Sequence, residues 1–230
     1  MNNTMHTFLR GRRSLLSLLI AGSLALAGTM SAHLDDNDDN GTLFGVSLPQ
    51  VNDSNVGYLQ IVKGYEKTDV SRMAQLLALV STSMMDQFND FLGKVFMQLD
   101  LGDEYRGQFF TPWDVSRMMA QISLGDVDTI FRDKPFITLA EPACGAGCMV
   151  LAYADVLNQA GYLSHHHMWV SATDIDPLAA GMDYIQLSLC SVAGEVVICN
   201  SLHNERPRIL YTPGHYLGNW PARLEKKQIA

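Results

Sequence analysis

Positive charge is scarce in this sequence. The 230 residues hold 16 lysines and arginines against 24 aspartates and glutamates, for a formal net charge of −8. Arg10, Arg12 and Arg13 lie in the first 34 residues, which contain no acid, so the remainder holds 13 basic and 24 acidic residues, a net charge of −11. This balance excludes a protein that grips DNA by neutralising phosphates over its whole surface. If the chain acts on DNA, it needs a local basic groove or a partner that supplies the contacts to the DNA phosphates.

Cysteine is also scarce, and its spacing does not favour a metal site. Four cysteines occur, and Cys144 and Cys148 have three residues between them without a second close pair. That is a poor zinc pattern. The run 165–167 is three histidines, and consecutive residues do not converge on one ion, so it predicts a polar loop. We expect no metal, and we expect small, partly buried thiols in a reducing compartment.

Acidic residues are absent from residues 1–34, a segment similar to a secretory leader. Its arginines precede an apolar run at 15–27, and Ala25-Leu26-Ala27 offers a cleavage site. An uncleaved membrane anchor over 14–33 is one alternative, because that stretch carries no formal charge. An extension with no role in export is the other.

Apolar periodicity divides the rest of the chain. Residues 35–69 are acidic and polar and predict a linker, whereas residues 70–104 predict one or two helices, with Gly93 as a weak point. Residues 105–230 predict a helix after Pro112 and then alternate between strands and helices. The predicted elements are strands at 136–140, 169–173 and 196–199, a further strand at 209–211, and helices at 147–158 and 177–190. This order predicts an α/β fold with a partial, Rossmann-like parallel sheet.

Two motifs lie where the first two predicted strands end. Residues 141–147 read Glu-Pro-Ala-Cys-Gly-Ala-Gly and open a helix, so the backbone can turn sharply and approach a ligand closely. Asp174 lies 29 residues after Gly145, where a carboxylate can accept hydrogen bonds from both hydroxyls of a ribose. Asp176, directly before Pro177, is explained as a helix N-cap. Together the motifs predict a nucleotide-type cofactor site.

The order of these motifs resembles that of N6-adenine DNA methyltransferases, in particular the modification subunits of type I restriction systems. The likeness rests on 107–112 (Gly-Gln-Phe-Phe-Thr-Pro), 141–147 and 174–177 (Asp-Ile-Asp-Pro). It implies a methyltransferase fold, S-adenosylmethionine as cofactor, DNA as substrate, and a specificity or other modification subunit as partner. The cofactor-binding residues that it implies are Thr111, Pro112, Glu141, Ala143, Gly145, Asp174 and Asn200.

The resemblance also implies a role for each of these residues. The pair at 111–112 would meet the carboxylate and amino group of the methionine part, and the residues at 141–145 would form the loop beneath it. Asp174 would bind the ribose, and Asn200 would contact the cofactor adenine through its amide. For Asn200, a simple turn at the end of a strand is an equal alternative.

The catalytic loop of that family, Asn-Pro-Pro followed by an aromatic residue, is absent from the sequence. In such a loop the asparagine and a proline carbonyl accept the two hydrogens of the adenine N6 amine, and the aromatic side chain stacks on the flipped base. The nearest match is Asn219-Trp220-Pro221, in the wrong order. Asn219 is therefore a candidate catalytic residue, although an exposed turn is the favoured alternative.

Three hypotheses follow for the function. The first is an adenine-N6 DNA methyltransferase-like protein that uses a partner subunit for DNA recognition. The second is a non-catalytic, S-adenosylmethionine-binding accessory protein of a modification system, and the third is an exported or tethered protein that has diverged from such an origin. The body of the chain predicts a cytoplasmic location, whereas the segment at 1–34 argues against one.

Overall fold

The computed structural model describes residues 42–43, 46–47, 63–85, 87–99, 110–202 and 207–229. The leader predicted at 1–34, most of the linker predicted at 35–69 and the Gly-Gln-Phe at 107–109 lie outside these ranges. In the ranges that are described, no helix has both the length and the apolar character needed to cross a bilayer. Two short antiparallel strands, Thr42–Leu43 (β1) and Val46–Ser47 (β2), lie in the linker region.

The remaining described chain alternates between helices and strands. The helices are α1 (Lys67–Met85), α2 (Phe91–Gln98), α3 (Trp113–Leu124), α4 (Val127–Asp133), α5 (Cys148–Gln159), α6 (Ser164–His167), α7 (Pro177–Leu189), α8 (Pro213–Leu217) and α9 (Trp220–Ile229). The strands are β3 (Ile137–Glu141), β4 (Met168–Asp174), β5 (Ala193–Ile198) and β6 (Arg208–Tyr211).

Four strands form one sheet in the order β3-β4-β5-β6. β3, β4 and β5 are parallel and are joined through α5 and α7, whereas β6 runs antiparallel to β5. Glu141 pairs with Ala172, and Asp174 pairs with Ile198, so the three parallel strands end at the same side of the sheet, called here the carboxyl edge. The predicted α/β fold with a partial parallel sheet is confirmed.

The core lies between this sheet and the helices on one of its faces. Alternate residues of β4, namely Met168, Val170 and Ala172, have no exposed surface. Helix α7 is buried on all sides over residues 179–187, because α1, α2 and α5 surround it as well as the sheet. Side chains on α7 are therefore placed by packing in every direction, including those that face the loop between β3 and α5.

Two predicted boundaries were wrong for physical reasons. The segment predicted as one or two helices at 70–104 contains two, but the second ends at Gln98; it begins after Asp90, whose carboxylate accepts the N–H of Gly93 and caps α2. Strand β5 begins at Ala193, three residues before the predicted start at 196. Position 194 of this strand is occupied by glycine because a side chain there would collide with the carbonyl oxygen of Val170.

The histidine run was also predicted wrongly. Residues 165–167 belong to the short helix α6 and do not form a loop. The Leu163 carbonyl oxygen accepts the backbone N–H groups of His166 and His167 and lies 3.0 Å from Nδ1 of His167, which fixes this turn before β4. In the part of the chain that is described, no group of three histidine, cysteine or acidic residues has the arrangement of a metal site.

Candidate functional site

The loop at 142–147 (the glycine loop) is bonded to the end of the neighbouring strand. The N–H of Cys144 donates to the Thr173 carbonyl oxygen at 2.8 Å, and the N–H of Gly145 donates to Oδ2 of Asp174 at 2.8 Å. Gly145 and Gly147 have φ angles of 56° and 93°, in the left-handed region that favours glycine. The two predicted motifs therefore form one continuous structure at the carboxyl edge.

Asp174 joins the glycine loop to the start of α7. Its Oδ2 accepts the Gly145 N–H, and its Oδ1 accepts the N–H of Asp176 at 2.8 Å. An ionised carboxylate offers about four lone-pair directions, so two remain for further donors such as the paired hydroxyls of a ribose. Asp176 accepts the N–H of Leu178 at 3.0 Å, which confirms its prediction as the N-cap of α7.

Phe110 brings the predicted pair Thr111 and Pro112 to the same place. Two ring carbons of Phe110 lie 3.0 Å from the position that a Cβ on Gly145 would occupy. The ring also stacks on Phe96 with centroids 5.1 Å apart, which restricts its position. Thr111 and Pro112 directly follow Phe110 in the chain, are exposed, and precede the first residue of α3. Because the Phe110 ring lies against Gly145, these two residues lie near the glycine loop.

Glu141 and Asn200 complete the polar residues at this edge. Oε1 of Glu141 accepts the N–H of Ala143 at 3.2 Å, which holds the entry to the glycine loop. The Cys199 N–H donates to the Asp174 carbonyl oxygen at 3.1 Å, so Asn200 is adjacent to the end of β4. Its Oδ1 accepts the N–H of Leu202 at 3.0 Å, which occupies the amide oxygen and leaves the amide nitrogen to donate to a ligand.

The apolar side chain of Ile175 was missed by the sequence reasoning. Ile175 follows Asp174 directly and is 64% exposed, although isoleucine is among the residues most often buried. An exposed apolar side chain beside an aspartate at a strand end offers a surface on which a purine ring can lie. The signal in the sequence was its position between two aspartates with assigned roles.

Gln186 supports the glycine loop from below, and it too was missed. Its Nε2 donates to the Ala146 carbonyl oxygen at 2.6 Å and to Oδ1 of Asp90 at 2.9 Å. Its Oε1 accepts the N–H of Leu92 at 2.9 Å. Gln186 therefore connects α2, α7 and the loop in a fully buried network, in which burial raises the pKa of Asp90 above its ordinary value.

The buried thiols near the loop are not arranged as nucleophiles. Burial and the neighbouring Asp183 and Asp174 carboxylates raise the pKa of Cys144 far above its ordinary value, so it stays protonated. Burial raises the pKa of Cys148 to about 12, and its Sγ lies 3.3 Å from Oγ of Ser116. Neither of these two thiols therefore supplies a thiolate for chemistry at this edge.

Asn219 is not brought together with these residues. It lies in an exposed turn with φ of 49° between α8 and α9. The next residue, Trp220, is fully buried against Phe136 and Ala193, at the opposite ends of the strands from Asp174. Five residues of strand separate these ends, about 16 Å at the usual rise. The structure therefore agrees with the alternative favoured from the sequence, in which Asn219 lies in an exposed turn.

Comparisons with protein families and with solved structures each give a match to this chain. The model of the family of N-6 DNA methylases matches residues 88–208, which is more than half of the chain and includes the glycine loop and Asp174. A solved structure described as a class I S-adenosylmethionine-dependent methyltransferase from Listeria monocytogenes is similar at 14% identity and a TM-score of 0.35. That alignment covers 84% of this chain and 54% of the other, so the chain spans about half its length. No curated protein matches the chain.

Proposed function

Because the chain belongs to the family of N-6 DNA methylases, we propose that it binds S-adenosylmethionine at the carboxyl edge and contributes this site to adenine-N6 methylation of DNA. The observation that carries the proposal is the hydrogen bond from Gly145 to Asp174, which makes the glycine turn and the strand-end carboxylate one structure. The family model covers both residues.

The described residues fit this cofactor part by part. Asp174 keeps two lone-pair directions for the ribose hydroxyls, and the exposed face of Ile175 provides an apolar wall for the adenine. The free amide nitrogen of Asn200 donates to a ring nitrogen of that adenine. Thr111, which follows the Phe110 ring, and Glu141, which precedes the glycine loop, receive the methionine part. When bound, the cofactor supplies a methyl group on a sulfonium centre.

Methyl transfer to a base requires groups that these 230 residues do not contain in recognisable form. The sequence has no Asn-Pro-Pro-aromatic tetrapeptide, and Asn219 lies at the wrong end of the sheet. With a net charge of −11 over residues 35–230, nonspecific capture of DNA is weak and lost quickly with salt. We therefore propose that another polypeptide segment, such as a modification or specificity subunit, brings the catalytic loop and the DNA-binding surface.

An apolar face on α3 supports such a partner. Its members recur at three- and four-residue spacing on one side of the helix and are 41–74% exposed: Val115, Met118, Met119 and Ile122. The opposite side of α3 is buried through Ser116, Ala120 and Leu124, so the helix packs against the rest of the described chain by that side. Exposed apolar patches of this kind mark protein interaction sites. The face lies next to Thr111 and Pro112, where a catalytic subunit would have to approach.

The second candidate is a non-catalytic accessory protein that binds the cofactor for a modification system. The separation of Asn219 from the carboxyl edge favours it over an enzyme that acts alone. For either candidate we propose a cytoplasmic location, because both the cofactor and DNA are found there. Methyl transfer from labelled cofactor to DNA, with and without a modification partner, separates the two.

Two aspartates on either side of Ile175 provide the test of cofactor binding. Asp174→Asn removes the charged acceptor and leaves one of two backbone N–H groups without an oxygen. The loss should be about 1–3 kcal/mol of binding free energy, or roughly 5- to 150-fold in Kd, by calorimetry. Asp176→Asn is the matched control, since asparagine caps helices equally well. Equal affinity in the wild type and the Asp174 variant would contradict the proposed site.

A further inference from the structure

Asp183 lies on α7 beneath the glycine loop and is fully buried. Neither of its carboxyl oxygens has a backbone N–H, hydroxyl, amide or charged donor as a partner among the described residues. Its Oδ1 faces Gly147 so closely that a Cβ on that glycine would overlap it. The thiol of Cys144 lies beside it. An unpartnered carboxyl group therefore touches the backbone of the loop on which the proposed cofactor rests.

The charged groups that act on Asp183 are all acidic. Glu141 faces it from the end of β3, Asp174 from the end of β4, and Asp90 from the start of α2. Lys94, further along α2, is exposed and acts on Asp90. Burial raises the pKa of Asp183 well above the ordinary aspartate value, the weak donor Cys144 lowers it in part, and these carboxylates raise it further. The ion pairs recorded in the described residues, Arg72–Asp69 and Arg117–Asp155, do not involve this group.

We propose that Asp183 is a positioning residue that makes this site prefer a positively charged sulfonium cofactor over its neutral thioether product, by releasing a proton when the cation binds. The inference rests on the proposed cofactor site. A carboxyl group without a partner in a low-dielectric interior stays protonated until a positive charge comes near. A cation on the glycine loop stabilises the ionised form, and the proton passes to the solvent.

The direction of the pH dependence follows from linkage. Since cation binding favours the ionised form of Asp183, affinity for the cation rises with pH across the range in which this group titrates. With one proton released, the change is at most about tenfold per pH unit. S-adenosylhomocysteine carries the same amino and carboxyl groups as S-adenosylmethionine but lacks the sulfonium charge. At pH values well below the pKa of the α-amino group and well above that of the carboxyl group, both groups keep their charge in the two ligands, so their titration does not enter the ratio of the two affinities.

The experiment is calorimetry of the full chain with both ligands at several pH values. The ratio of the Kd for S-adenosylhomocysteine to that for S-adenosylmethionine should rise with pH in the wild type and stay flat in Asp183→Asn. Asp126→Asn, which removes an exposed charge at the N-cap of α4, is the control and should keep the wild-type slope. In the wild type, heats in buffers of different ionisation enthalpy should show proton release with S-adenosylmethionine alone.

The outcomes separate the inference from the site on which it rests. A flat ratio in the wild type, or an unchanged slope in the Asp183 variant, overturns the inference while leaving cofactor binding intact. Failure of both ligands to bind overturns the proposed site, and the inference with it. If the Asp183 variant does not fold, the test of the inference is the proton release measured for the wild type. Equal release with both ligands contradicts the proposed preference for the sulfonium cofactor.

A measurement without ligand checks the buried state of Asp183 itself. Because its folded-state pKa is raised, the folded chain keeps a proton that the unfolded chain has already lost. The free energy of unfolding should therefore fall as pH rises above the ordinary aspartate value, and keep falling up to the raised pKa. Denaturant unfolding of Asp183→Asn should lack this decline. Parallel pH profiles for the wild type and the variant would show that the carboxyl is not buried in the neutral form.

Discussion

Replacing Gly145 by alanine tests whether the glycine loop has the described contacts. Alanine at a φ of 56° costs about 1–2 kcal/mol in backbone strain. The new Cβ would also lie 3.0 Å from two ring carbons of Phe110, and that ring stacks on the buried Phe96. Overpacking of this kind costs about 1–3 kcal/mol. The sum predicts a loss of about 2–5 kcal/mol in unfolding free energy, measured by urea titration, together with weaker cofactor binding.

Gly161 provides a matched control for the strain. It also has a positive φ, of 89°, but a Cβ there would meet nothing within 4 Å. Gly161→Ala should therefore lose only the strain, about 1–2 kcal/mol, and keep its cofactor affinity. In a Phe110→Ala background, Gly145→Ala should fall to the same smaller cost. Equal losses for the two glycines, or an unchanged loss without the Phe110 ring, would refute the contact.

Three further predictions concern the support of the site, the leader and Asn219. Gln186→Ala should cost about 2–4 kcal/mol in urea unfolding, since it leaves the Leu92 N–H and the Ala146 carbonyl buried without partners; a loss under 1 kcal/mol would argue against the network. Removal of residues 1–34 should leave the melting temperature unchanged, and a periplasmic form cleaved after residue 27 would overturn the cytoplasmic location. Asn219→Ala should leave cofactor affinity and any partner-dependent methylation unaltered; lost turnover would restore it as a catalytic residue.

The elements around the site were predictable because their signals are local. The apolar strands before Glu141 and Asp174, the glycine turn and the Asp-Pro helix start each depend on neighbouring residues, and the structure contains all of them. The start of β5 was not predictable, because Gly194 is a poor strand former by itself. Its place in the strand depends on the close approach of Val170 across the sheet.

The groups beneath the loop depend on packing that a single sequence does not show. Asp183 and Gln186 lie three residues apart on α7, so they share the face toward the glycine loop. Only the surrounding helices bury that face and convert two polar residues into a neutral carboxyl and a hydrogen-bonding support. The usable signal was a mostly apolar helix in which Asp183 and Gln186 are polar positions three residues apart.

A crystal structure of the chain with S-adenosylmethionine tests the central claim most directly. The account predicts the ribose hydroxyls within hydrogen-bonding distance of Asp174, the adenine against Ile175, and the methionine part over the glycine loop near Thr111. Asp174 should keep its hydrogen bond to Gly145 while accepting the ribose. Cofactor bound elsewhere, such as beside Asn219 at the opposite ends of the strands, would contradict the account.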